Sequence, residues 1–367
     1  MANQDHSFLF IPDISGFTNF VNNTDIEHSQ HIISELLEII IDANDLGMTV
    51  SEIEGDAVLF YRKEMPTQLE ITSQAEKMFL KFHEHLHRYN IQRICDCGAC
   101  TSAAKLTLKF VAHSGAINMI KVKDFEKPYG QPVIVAHRLL KNEIKSSEYI
   151  LLTEDLYSHI EEKEIPNSWI NWVNSSTSYD DVGELSIFHS EMSELHKQVP
   201  LISEPKAEYK SDSPVVETIF INQPIEQVYN IIVDFRYRKE WNVGVKEVQY
   251  EENKVNRKGS KHVCLINGQS IKFETLGGLS DKKFLVYGER AENIPFTKDV
   301  ANYFKLEAKD NGTFLTFESH IIPNGFIGKI MSHFIKKNFK KSSIQNLKTL
   351  KEFCEIKFPK KKLSSTL

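Results

Sequence analysis

Residues 48–61 read MTVSEIEGDAVLFY, an apolar ribbon, a tight turn at Glu54-Gly55-Asp56 and a second apolar ribbon. Val50, Ile53, Val58 and Phe60 are β-branched or aromatic, as a half-buried strand pair requires. Gly55 supplies the positive φ that such a turn needs. The turn carries Asp56 out of the ribbon, either as an ordinary surface turn former or as a metal ligand.

Working outward, FLFI at 8–11 is a short strand, PDISGFT follows at 12–18, and 28–44 has apolar Ile32, Leu36, Ile39 and Ile40 at helical spacing. Asp13 therefore ends a strand just before a turn into a helix, where oriented backbone N–H groups can meet a phosphate. Asp13 and Asp56 are either two unrelated turn aspartates or a pair holding hard cations, Mg²⁺ or Mn²⁺, with phosphate oxygens and water. Downstream, the pattern predicts a helix over 68–89, a cysteine-rich loop at 95–100, strands over 106–113 and 116–122, and a loop at 128–130. A helix over 133–141, a strand over 149–153, a helix over 154–160 and an edge strand over 181–189 follow. The order β-α-β-β-α-β predicts a ferredoxin-like α/β sandwich.

Stretch 197–212 has prolines, serines and alternating charge without apolar periodicity, and reads as a linker between domains at 1–196 and 213–358, with a basic tail at 359–367. After it come a strand over 215–221, a helix started by Pro224, six strands between 246 and 321, and a long helix over 326–354. Asn267-Gly268 and Asn311-Gly312 are hairpin turns. These elements predict a curved antiparallel sheet around the closing helix, with a cavity between them. Phe273, Tyr287, Phe304 and Phe317 either line that cavity or simply pack the core. The whole chain is thus of the α+β class.

Composition narrows the function. A length of 367 residues implies two domains, and 41% hydrophobic with 26% charged residues excludes wholesale disorder. A net charge of −6 gives no push towards nucleic acid. No apolar run reaches membrane-spanning length, and the first ten residues lack a signal pattern. Five cysteines, an odd number, point to a reducing cytoplasm. Cys95, Cys97 and Cys100 crowd into six residues, and His83 and His87 share a face of the preceding helix. The set suits Zn²⁺, or is a reduced thiol cluster. The closing helix has Lys336, Lys337, Lys340 and Lys341 among apolar residues, and Lys360 to Lys362 follow, a pattern for contact with anionic lipid or a solvated helix face.

Phe10 to Thr18 (FIPDISGFT) and Glu52 to Val58 (EIEGDAV) resemble the two metal-binding segments of class III nucleotidyl cyclases. Val111 to Gly115 (VAHSG) and Tyr129 to Leu139 (YGQPVIVAHRL) are similar to the strand-turn and the loop-helix that follow in those enzymes. The combination also resembles a bacterial family of cyclase-like proteins without assigned function. The resemblance implies that Asp13 and Asp56 bind metal, that the backbone of Ile14, Ser15, Gly16, Phe17 and Thr18 cradles phosphate, and that Arg138 stabilises charge on the transferring phosphorus. Glu52 and Lys127 fall on the base-reading positions, which implies a purine nucleoside triphosphate. Ile134 falls on an asparagine position that assists cyclisation, and His137, next to Arg138, could restore part of the lost function. The family's site lies between two subunits, implying a homodimer. The second half resembles START-like, helix-grip proteins, which implies an apolar small molecule, lipid or partner protein as its ligand. The expected function is a cytoplasmic signalling protein with a metal- and nucleotide-binding cyclase-like domain. The alternatives are a non-catalytic nucleotide-sensing or dimerisation module and a carrier of hydrophobic ligands.

Overall fold

A computed structural model describes residues 6–24, 26–94, 97–159, 168–200, 210–277, 280–281 and 284–357. The chain forms two compact units, one of Met1–Asn90 with Cys97–Ser203, the other of Ile91–Asp96 with Glu204–Leu367.

The first unit runs β1 (His6–Ser15), α1 (Phe17–Asn22), α2 (Ile26–Asp42), β2 (Thr49–Glu54), β3 (Ala57–Arg62), α3 (Gln68–Gln92), α4 (Gly98–Ser102) and β4 (Thr107–Ala116). It continues with β5 (Asn118–Val122), β6 (Phe125–Tyr129), α5 (Gln131–Leu139), β7 (Tyr149–Thr153), α6 (Glu154–His159), β8 (Val173–Tyr179) and β9 (Gly183–Glu191). Among the described residues, seven strands form one sheet in the order β2-β3-β1-β4-β7-β9-β8, with β4 and β7 parallel. Strand β1 is buried on both faces, which is why its sequence lacks polar alternation. Leu9 and Ile11 join Val135, Ala136 and Leu139 of α5 in one cluster, while Phe8, Phe10 and Phe110 stack on the opposite face.

Three details differ from the sequence reading. The edge strand is β8, and β9 lies inside it, paired with β7. Serine- and threonine-rich β8 has little apolar content to reveal it. Stretch 125–129 is not loop alone, since β6 pairs with β5 as a separate ribbon. Part of the cysteine-rich stretch is helical, because the Cys97 side chain accepts a hydrogen bond from the Cys100 amide and caps α4.

The second unit contains β10 (Val215–Ile221), α7 (Ile225–Val233), α8 (Arg238–Trp241), β11 (Val245–Gln249), β12 (Lys261–Ile266), β13 (Gln269–Thr275) and β14 (Ser280–Asp281). It closes with β15 (Phe284–Ala291), β16 (Thr297–Lys309), β17 (Gly312–Pro323) and α9 (Gly325–Lys357). Its antiparallel sheet has the order β10-β17-β16-β15-β13-β12-β11, as the hairpin turns predict. Leu347, Leu350 and Cys354 of α9 join α7 residues Val228, Ile231 and Ile232 in a core that also takes Ile94. No helix among the described residues is long and apolar enough to cross a membrane.

Candidate functional site

Strands β1 and β3 are antiparallel neighbours, with Asp13 opposite Ala57. That register places Asp56 beside Asp13, and the Ile14 amide donates to the Asp56 carbonyl at 3.0 Å. Burial and then the Asp13 charge push the Asp56 carboxyl up to about 6. Lys109, opposite Asp13 on β4, approaches its Oδ2 at 3.0 Å and donates to the Leu140 carbonyl at 2.9 Å. The sequence reasoning overlooks Lys109, though a lysine within the apolar run of β4 is a signal for a buried counter-charge. Two convergent hard oxygen donors, one of them raised in proton affinity by the charge of the other, fit Mg²⁺ or Mn²⁺. The chain leaves them through Gly16 into α1, so the expected phosphate cradle 14–18 spans the end of β1 and the first turn of that helix.

Glu52 and Lys127 meet directly, Lys127 Nζ standing 3.1 Å from Glu52 Oε2. His137 lies between two carboxylates, its Nε2 3.5 Å from Glu52 and its Nδ1 3.5 Å from Glu54. The packing that brings α5 here depends on Gly115, where a Cβ would stand 2.4 Å from Pro132 Cγ. Arg138 donates from Nε and Nη2 to Asp181 Oδ2 at 2.9 and 2.6 Å, and this bond holds the Asp181 carboxyl below its usual range. Its partner within the chain is thus Asp181, which the sequence does not single out, rather than the Asp13–Asp56 edge. Ile134 on the same helix is 52% exposed.

Among the described thiols, Cys97 and Cys100 stand beside His28 of α2, with Cys97 Sγ 3.2 Å and Cys100 Sγ 3.6 Å from its Nδ1. Tyr89 Oη lies 3.3 Å from Cys100 Sγ. Cys95 falls outside the described residues. His83, expected near the thiols, instead joins Glu148 at 3.3 Å and packs on His196, because its position on α3 faces the β7 end of the sheet. Burial and then His196 push its imidazole down to about 3. His87 stays half-buried on α3. A surface groove of about 390 Å³, lined by α3 residues such as Glu76, Leu80 and Glu84, includes none of these clusters.

In the second unit, Phe273, Tyr287, Phe304 and Phe317 are all buried in its two core clusters. Charge is buried among them. Arg238 pairs with Glu289, the two being 2% and 3% exposed, and its guanidinium lies 4.9 Å from the Trp241 ring. Tyr287 donates to Glu289 at 2.7 Å, and His262 Nε2 lies 3.8 Å from the same carboxylate. Arg238 Nε, Trp241 Nε1 and both ring nitrogens of His262 find no hydrogen-bond partner among the described residues.

Comparison with known proteins divides the chain in the same way. Residues 33–149 match the family described as "Protein of unknown function (DUF2652)". Residues 214–352 match "Polyketide cyclase / dehydrase and lipid transport". The two halves carry two different family signatures. An uncharacterized protein of Mycobacterium tuberculosis is 35% identical over 122 residues, which cover 33% of this chain and 57% of that protein. The chain therefore spans just over half the length of this curated relative. Among solved structures, the adenylyl cyclase CyaB from P. aeruginosa is 17% identical, covering 50% of this chain and 93% of its own, with a TM-score of 0.37. The guanylate cyclase domain of RhGC from Catenaria anguillulae, in complex with GTP, is 15% identical, covering 52% and 98%, with a TM-score of 0.35. Protein CV1439 from Chromobacterium violaceum is 20% identical, covering 39% and 96%, with a TM-score of 0.31.

Proposed function

We propose that this is a cytoplasmic signalling protein whose first unit binds a divalent cation and a purine nucleoside triphosphate, and whose second unit takes an apolar ligand. The convergence of Asp13 and Asp56 on adjacent strands carries the reading. Asp13 and Asp56 would hold Mg²⁺ or Mn²⁺, which supplies charge neutralisation at the phosphates. The backbone of 14–18 borders the same edge. Glu52 and Lys127, already paired, offer an acceptor and a donor suited to the edge of a base. The family match over 214–352 supports an apolar ligand for the second unit. The ribbon β5–β6 exposes Val122, Phe125 and Tyr129, which supports pairing with a second copy. Phe326, Ile327, Ile330 and Phe334 are exposed on α9 near its lysines, which supports contact with an anionic lipid surface.

A second reading rests on Arg138 and Ile134. Arg138 is engaged by Asp181, and an exposed isoleucine offers a ribose no hydrogen bond. Loss of a positioned donor costs roughly 10²–10³ in rate. That favours nucleotide sensing over efficient cyclisation. Purified protein with Mn²⁺ and either ATP or GTP separates the two. Metal-dependent binding that disappears in Asp13→Asn and Asp56→Asn is expected. Cyclic product that disappears in the same variants makes the protein an enzyme, binding without product makes it a sensor, and binding that survives both substitutions rejects the site.

A further inference from the structure

We infer that His28, Cys97 and Cys100 form a zinc site that clips the first turn of α2 to the connection between α3 and β4. The proposal is independent of the nucleotide reading, because none of its donors belongs to the Asp13–Asp56 edge. A tetrahedral zinc with Zn–S of about 2.3 Å and Zn–N of about 2.0–2.1 Å separates a sulfur from a nitrogen ligand by about 3.6 Å, and two sulfurs by about 3.8 Å. The structure has His28 Nδ1 at 3.2 Å from Cys97 Sγ and 3.6 Å from Cys100 Sγ. All three donor atoms lie within 4.8 Å of one another. One ion can therefore touch all three with shifts of a few tenths of an ångström.

The donor set is borderline-soft, two thiolates and an imidazole, which selects Zn²⁺ over the Mg²⁺ or Mn²⁺ of the carboxylate edge. The backbone already has the form that such a site uses. Cys97 caps α4 and Cys100 lies in its first turn, so a two-residue gap presents both sulfurs from one side of a short helix. His28 comes from a different element, α2, which packs against α4. An ion bound here joins residues 69 and 72 positions apart in the chain, so its action is to hold tertiary structure. The cluster lies beside the chain that leaves α1, since a Cβ at Gly98 would stand 3.4 Å from the Asn23 carbonyl. A structural clip at this place steadies the connection that follows the expected phosphate cradle.

The test uses the full chain, reduced and stripped of metal, then titrated with Zn²⁺ or Co²⁺ alone. One Zn²⁺ should bind per chain and remain through gel filtration. Co²⁺ should give a thiolate-to-cobalt charge-transfer band that weakens in Cys97→Ser and in Cys100→Ser. His28→Ala should weaken zinc binding by roughly 100-fold, since three donors share a total binding energy of many kcal/mol. His28→Cys should keep the metal and strengthen the charge-transfer band, which guards against a result due to misfolding. Saturating zinc should raise Tm by roughly 5–10 °C in the wild type and not in the Cys97→Ser/Cys100→Ser variant. His83→Ala should keep its zinc. Failure of the reduced protein to bind zinc, or zinc retained at full stoichiometry in the double serine variant, would overturn the proposal.

Discussion

At the scale of single residues, buried charge and buried imidazoles make stability sensitive to substitution and to pH. Arg238 and Glu289 are enclosed together, with Tyr287 donating to the carboxylate. Removing one partner strands the other in the interior, so Arg238→Met should lower stability by about 3–5 kcal/mol, read by urea unfolding. Arg238→Met combined with Glu289→Gln should recover most of that loss, because neither charge is then left alone. The buried histidines act through protons. Burial pushes His83 down to about 3, His113 to about 4 and His262 to about 2. A second contribution comes from His196 for His83 and from Arg238 for His262, while Asp155 pulls His113 up and His6 pushes it down. Each folded value is below the unfolded one of about 6.5, so the unfolded chain binds more protons in the interval between them. Stability is therefore complete above pH 6.5 and falls as the pH drops towards the folded values, by up to about 1.4 kcal/mol per pH unit for each histidine. Melting temperatures between pH 7 and pH 5 should fall accordingly, and His83→Asn should make the fall shallower. Asp13 and Asp56 could be named from the sequence because each follows an apolar run and falls in a segment that resembles the cyclase motifs. Asp181 and His28 could not, since each acquires its role only from a partner distant in the chain, and Lys109 showed only as a lysine in an apolar run until β1 and β4 set it against Asp13.

At the scale of elements, close approach of backbone and helix positions the site. Helix α5 begins with Pro132 pressed against Gly115 of β4. Gly115→Ala would put a methyl 2.4 Å from Pro132 Cγ. The overpacking should cost about 1–3 kcal/mol and displace His137 from Glu52 and Glu54, and on the proposed function it should weaken nucleotide binding along with stability. Calorimetric titration and thermal unfolding of the variant check both effects. Elements with strong periodicity were readable from the chain. Strands β7, β12, β13 and β15 to β17 fall close to where alternation and Asn-Gly turns place them. Strand β8 was not, because VNSSTSY has neither a hydrophobic face nor a turn signal of its own. Ribbon β5–β6 was half visible, since its second strand contains Pro128 and two charged residues.

At the scale of the whole molecule, the proposed pairing with a second copy of the chain is tested at the exposed apolar ribbon β5–β6. Phe125 is 80% exposed on β6, where an aromatic side chain left in water is a cost that association removes. Phe125→Lys should weaken self-association by roughly 30-fold, as removal of an aromatic anchor does, with the dimer measured by analytical ultracentrifugation. Any nucleotide turnover that needs two copies should fall in parallel. The sequence by itself pointed to an α+β chain of two halves, to most of the strands of both sheets and to Asp13 and Asp56 as carboxylates next to one another. Those features are written in short-range periodicity, turn residues and local motifs, which depend on neighbours a few positions away. Only the tertiary structure decided that Lys109 braces Asp13, that Asp181 holds Arg138, that Arg238 is enclosed with Glu289, and that His28 rather than His83 stands beside the thiols. Each of those pairings joins side chains brought together by strand register and helix packing, and the free energy of burying a charge or a ligand set exists only once that packing has formed.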